Sequence, residues 1–135
     1  MLQFLYIFIG GGTGALLRYL SDRFAASLFN AKFPLGTLFV NCVGALLIGF
    51  LISFFDPHNP NAANTRLKLL LITGFLGGYT TFSAYSLETA RCFMEGNVKQ
   101  ALLNILLNNA LCVALVFAGM RLNRAIMEQR FIINN

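Results

Sequence analysis

Charge is what this chain has least of. Its 135 residues include five Asp and Glu, ten Lys and Arg and one His, so only 11% of the side chains carry charge. An ordinary soluble domain carries about a quarter of its residues as charges, which excludes that class here. Few carboxylates, one histidine and three cysteines leave no set positioned for hydrolysis or transition-metal binding, so enzyme chemistry is not expected. The histidine, His58, sits in a polar loop tract. Cys42, Cys92 and Cys112 are odd in number and lack paired metal-ligand spacing. Two of them lie within apolar runs, and all three read as packing residues. No basic region precedes the first apolar stretch, so a cleaved signal peptide is not expected. The formal net charge is +5, but its basic residues are dispersed among the ends of apolar runs instead of clustering on one face, which argues against a nucleic-acid surface.

Apolar residues fill the chain instead: 57% are hydrophobic, and the mean hydropathy is +0.68. A helix crossing a hydrocarbon core of roughly 30 Å needs about 20 mostly apolar residues. Four uncharged runs meet or approach that length: Met1–Leu17, Phe33–Phe55, Leu69–Leu87 and Gln100–Met120. The first continues past Arg18, whose long stem can return its charge to the interface. Asp56, Pro57 and the polar tract His58–Thr65 read as an exposed turn. The expected architecture is all-α and membrane-embedded, one domain over 1–135, with spans at about 3–26, 34–55, 67–93 and 98–123.

With alternating spans, Arg66, Lys68, Arg121, Arg124 and Arg130 fall on one side, and Arg18, Arg23, Lys32, Arg91 and Lys99 on the other. Orientation follows an excess of Lys and Arg on the cytoplasmic side, and five against five gives none. Either the first helix fixes one orientation, or the chain inserts both ways and forms an antiparallel pair with its twofold axis in the membrane plane. Four short helices enclose little space alone, which favours the pair.

Small and polar residues punctuate the spans. Gly10 and Gly14 form a small-xxx-small pair suited to close helix approach. The surrounding glycines are no phosphate loop, since the Gly-Lys-Ser/Thr ending is missing. Span two sets Thr37, Asn41, Gly44, Ala45 and Ile48 on one face. Span four carries Asn104, Asn108 and Cys112 at intervals of four, with Asn109 beside the stripe. An intramembrane amide can pair with a neighbouring helix or offer donors to a passing ion, and Asn108 is the best candidate for the second role. In span three, Gly74, Gly77 and Gly78 precede Tyr79-Thr-Thr-Phe-Ser-Ala-Tyr85, a poor helix sequence that predicts a break near mid-membrane. Carbonyls freed at 77–80 suit a hard cation. The hydroxyls of Thr81 and Ser83, with the positive edges of Phe82 and Tyr85, suit an anion.

Three stretches taken together resemble the Fluc (CrcB) family of bacterial fluoride channels: Gly10-Gly-Gly-Thr-Gly-Ala-Leu-Leu-Arg18-Tyr, Gly36-Thr-Leu-Phe-Val-Asn41-Cys-Val-Gly44 and Gly74-Phe-Leu-Gly-Gly-Tyr-Thr80-Thr-Phe82-Ser-Ala-Tyr85. The resemblance implies an antiparallel, dual-topology homodimer in the bacterial inner membrane. It implies two fluoride pathways, passive export that relieves fluoride toxicity, and a structural Na⁺ at the dimer centre held by backbone carbonyls of Gly77 and Thr80. Asn41 matches the family's pore asparagine, Phe82 the first of its ion-facing aromatics, and Arg18 the basic residue of span one. Tyr85 departs from the pattern, standing where the family usually has a second phenylalanine. The resulting candidate pathway is Asn41, Phe82, Tyr85, Thr81, Ser83, Asn108 and Arg18. The rivals are a small multidrug-type, proton-coupled transporter, whose early-span carboxylate is missing while Glu88 lies at the end of span three, and a non-transporting membrane scaffold.

Overall fold

The computed structural model describes residues 1–28, 34–55 and 65–133. The expected turn at His58, the start of span two at Phe33 and the flanking Lys32 lie outside the described residues. Every regular element among the described residues is helical. Helix α1 is Leu2–Leu28 and α2 is Leu35–Ile52, which ends in a 3₁₀ turn, Ser53–Phe55. Helix α3 covers 65–79 and is π-wound over Leu69–Leu76. Helix α4 is Phe82–Met94, and α5 covers 98–133 with a π-wound segment at Leu107–Leu111.

Three stretches are long and apolar enough to cross a membrane: Leu35–Phe55, Thr65–Met94 and Val98–Gln129. Helix α1 is long enough at 27 residues but is not among them. Gln3, its four glycines, Arg18, Asp22 and Arg23 dilute its apolar content. Thr65–Met94 runs past the expected end of its apolar run at Leu87, so Glu88 lies inside α4 instead of at a span end.

Two interfaces built on backbone approach organise the bundle. Between α1 and α3, a methyl placed on Gly10 would strike the Leu70 carbonyl, and one on Gly14 the Phe75 carbonyl. From the other side, methyls on Gly74 and Gly78 would strike the carbonyls of Ile7 and Gly11. The small-xxx-small pair expected in α1 therefore meets a second one in α3, and the two backbones touch. Each glycine costs a helix about 1 kcal/mol against alanine, and the contact it permits is where that cost is recovered. Between α2 and α5, Gly49 lies against the Val116 carbonyl and Gly119 against that of Leu46.

The chain turns from α4 to α5 at Gly96, whose φ of 75° is open to glycine without a Cβ clash. The Gly96 amide donates to the Phe93 carbonyl at 3.1 Å and the Asn97 amide to that of Cys92 at 2.8 Å, the pairing of a Schellman cap.

Candidate functional site

The glycines of α3 do not mark its break. Gly77 and Gly78 remain helical, and the chain opens at Thr80 (ψ 159°) and Thr81 (φ −149°, ψ 118°), where extended backbone separates α3 from α4. Two β-branched residues in succession favour that conformation. The restart is coded locally, since the Thr81 hydroxyl accepts from the Ala84 amide at 3.2 Å as an N-cap. At the lower side, the Thr80 amide and hydroxyl both donate to the Leu76 carbonyl, each at 3.0 Å. The carbonyls of Gly77, Gly78 and Tyr79 have no helical donor four residues on.

Asn41 of α2 closes the break. Its side-chain oxygen accepts from the Thr81 amide at 2.9 Å, and its Nδ2 donates to the Thr81 carbonyl at 3.1 Å, so the side-chain amide stands in for a paired peptide. Gly44, one turn along α2, leaves room for the Thr80 methyl. An apolar residue at 41 would leave two backbone groups at Thr81 unpaired in a membrane-embedded segment, at about 1–3 kcal/mol each.

From Asn41 a chain of donors runs across three helices. Asn41 Nδ2 donates to Asn108 Oδ1 at 2.9 Å, and Asn108 Nδ2 to Asn104 Oδ1 at 2.8 Å. Asn104 Nδ2 then donates to the Thr89 hydroxyl at 2.9 Å, which donates to the Tyr85 carbonyl at 2.8 Å. Asn104 is fully buried in this relay and turned toward α4. Asn109 takes a different partner: its Nδ2 donates to the Tyr85 hydroxyl at 3.1 Å and to the Ile105 carbonyl at 2.7 Å. The π winding at Leu107–Leu111 carries both Asn108 and Asn109, adjacent in sequence, to one cavity. No residue type announces that winding, so the Asn109–Tyr85 pair was not legible from spacing.

This cavity, about 370 Å³, is bounded by Asn41, Gly44, Ala45 and Ile48 of α2, by Gly77, Thr80 and Thr81 at the break, by Phe82 and Tyr85, and by Asn108, Asn109 and Cys112 of α5. Most of the sequence-derived set thus meets in one place. Ser83 stands just behind it, its hydroxyl 3.2 Å from that of Thr81. Arg18 does not join: it is half-buried on α1 and does not line the cavity. Phe82 and Tyr85 pack edge to face, with ring centroids 5.3 Å apart and planes at 61°.

Hydrogen counting changes the roles of the amides. Asn41, Asn108 and Asn109 each have two Nδ2 hydrogens and two acceptors, so all three donor groups are filled within the chain. The hydroxyls retain capacity. Tyr85 accepts from Asn109 and keeps its own hydrogen, and the Thr81–Ser83 pair needs only one of its two hydrogens for the contact between them.

Away from the cavity, Thr37 does not continue the stripe. Its hydroxyl donates to Glu88 Oε1 at 2.6 Å, tying α2 to α4, while Glu88 Oε2 is buried without a partner among the described residues.

Known proteins place this geometry. The family described as "CrcB-like protein, Camphor Resistance (CrcB)" matches residues 5–120. A protein of Clostridium perfringens named "Fluoride-specific ion channel FluC" is 42% identical over 124 residues, covering 92% of this chain and 95% of that one. Relatives of the same name in Dehalococcoides mccartyi (41% over 117 residues, 87% and 88% covered) and Coxiella burnetii (42% over 121 residues, 89% and 96% covered) agree. With the match running through all five helices, the clasped break and its cavity included, the chain belongs to the CrcB family.

Proposed function

We propose that this protein is a passive, fluoride-selective channel that carries fluoride out of the cytoplasm and so relieves its toxicity. The observation that carries the reading is the clasped break: neutral hydroxyls and aromatic edges gathered beside opened backbone, with no charged side chain among the cavity's lining. Fluoride is small and strongly hydrated, so a pore must replace its water without trapping it on a fixed charge. Hydroxyl hydrogens of Tyr85 and of the Thr81–Ser83 pair, with the positive edges of Phe82 and Tyr85, do that. Asn41 and Asn108 act by holding the break and the relay in place, and Arg18 by long-range attraction outside the cavity. The names of the relatives support the same ion.

The working unit in this reading is an antiparallel, dual-topology homodimer in the bacterial inner membrane. Each copy spans four times, at about 3–26, 34–55, 67–93 and 98–123, α1 crossing alongside the α3 backbone that it touches. Phe82 supports the dimer, since it lines the cavity yet is 76% exposed in one chain and needs a second copy as its other wall. The balanced Lys and Arg count supports insertion both ways. A structural Na⁺ fits the break: the carbonyls of Gly77 and Thr80 are hard oxygen ligands at a helix C-terminus, and a Cβ on Gly77 would meet only the Ile72 carbonyl at 3.9 Å. When bound, the ion would supply a fixed positive charge joining the two copies.

The deciding experiment is fluoride-electrode recording of efflux from loaded proteoliposomes, with chloride as competitor. Wild type releases fluoride and retains chloride, and Phe82→Ile releases neither while remaining an assembled dimer. Undiminished efflux from Phe82→Ile would sink the reading.

A further inference from the structure

We propose that Cys42 and Cys112 form a two-thiol site for a soft divalent cation of the mercuric type. The two side chains come from α2 and α5, and their sulfurs lie 4.0 Å apart, both as free thiols. Each is half-buried, and Cys112 lines the cavity, which gives an ion a route to the pair. Packing alone accounts for one cysteine at a time; it does not account for two sulfurs in contact across a helix interface beside a polar cavity.

The spacing fits metal coordination. With metal–sulfur bonds of about 2.3 Å, sulfurs 4.0 Å apart subtend an angle of about 120° at the metal, and a linear site needs them only about 0.6 Å further apart. Among the described residues no group of three or more His, Cys, Asp or Glu could hold a metal, so four-coordinate zinc has no home here. An ion content with two sulfurs remains, and thiolate selects the soft ones. Charge decides between them. A divalent ion displaces one proton from each thiol into the cavity water, and the resulting S–M–S unit is neutral, whereas a monovalent ion on two thiolates leaves a negative charge among apolar helices.

Cys42 follows Asn41 in sequence, and Cys112 lies one turn beyond Asn108. A metal bridging them clamps α2 to α5 at the level of the amide clasp and narrows the cavity, so filling the site shuts the flux. That last consequence rests on the channel reading; the binding does not.

The test uses the full chain with Cys92→Ser, which removes the third thiol, titrated with mercuric nitrate. Binding is read by near-ultraviolet thiolate–metal absorbance and by metal retained after desalting, and function by fluoride efflux from proteoliposomes. The site predicts one mercuric ion and two released protons per chain. Adding Cys42→Ser or Cys112→Ser weakens binding by about 100-fold or more, as losing a second ligand held at high effective concentration does. Efflux stops on filling and returns with excess dithiothreitol. Two ions per chain, or full absorbance in either further variant, would overturn the site. A filled site with unchanged efflux would overturn the clamp. A protein that binds one ion through both thiols but shows no fluoride flux before metal is added would uphold the site and count against the channel.

Discussion

The two halves of this bundle share one way of packing without a hydrophobic effect, glycine contact, and differ in what they add to it. On one side, α1 and α3 meet through Gly10, Gly14, Gly74 and Gly78, with backbone against backbone. On the other, α2 and α5 also touch at Gly49 and Gly119, but α2, α4 and α5 add amides and hydroxyls that consume one another's hydrogens from Asn41 to the Tyr85 carbonyl. Lipid tails are as apolar as any leucine, so helices associate through close contact or through hydrogen bonds. The first gives a wall whose glycine contacts are made by backbone alone. The second leaves a cavity whose polar groups are mostly spoken for. In that half, the hydroxyl hydrogens of Tyr85 and of the Thr81–Ser83 pair are the ones left over.

The largest break in the comparison should come from the wall. Gly14→Leu and Gly78→Leu each drive a side chain into a carbonyl of the facing helix. Neither should give a monodisperse species on size exclusion, whereas Gly12→Ala, which meets nothing within 4 Å, should elute as wild type does and be more stable by up to about 1 kcal/mol. Next comes Asn41→Leu, which strips two partners from the Thr81 backbone. It should cost about 2–6 kcal/mol in thermal or denaturant unfolding and remove measurable efflux. A variant that kept wild-type stability would show that the break is held by something other than this clasp.

Smaller effects separate scaffold from pathway within the polar half. Asn104→Leu removes a relay member that does not line the cavity, and membrane hydrogen bonds of this kind are worth about 0.6–2 kcal/mol. Its unfolding midpoint should fall while efflux stays within a fewfold of wild type. Tyr85→Phe removes the Asn109 bond at a cost in stability of about 0.6–2 kcal/mol, and unlike Asn104→Leu it should also lower fluoride efflux by about fivefold, the worth of one neutral hydrogen bond. Equal efflux from Tyr85→Phe would show that the hydroxyl serves Asn109 alone.

How much of this was legible depended on whether the signal was local. Apolar runs announced four spans, of which three are helices long and apolar enough to cross a membrane, and the Gly10–Gly14 spacing announced a close contact, because both are properties of consecutive residues on a helix. Four members of the span-two stripe, Asn41, Gly44, Ala45 and Ile48, reached the cavity for the same reason, while Thr37 pairs with Glu88 instead. The break was foreseen at the 77–80 carbonyls, and the residues that open it are Thr80 and Thr81, while Gly74 and Gly78 serve the α1 contact. Asn109 was underrated because regular α spacing put it beside the stripe, and π winding turned it in.

By itself, then, the sequence determined that the chain belongs in lipid, that it is helical, and which faces carry polar groups. Periodicity and composition act over one or two turns, and those properties need no more. Only the tertiary structure decided which hydrogens remain free and which sulfurs touch. Both depend on pairs 40 to 70 residues apart, such as Asn41 with Thr81, Asn41 with Asn108 and Cys42 with Cys112, whose meeting is set by how the glycine contacts seat the helices.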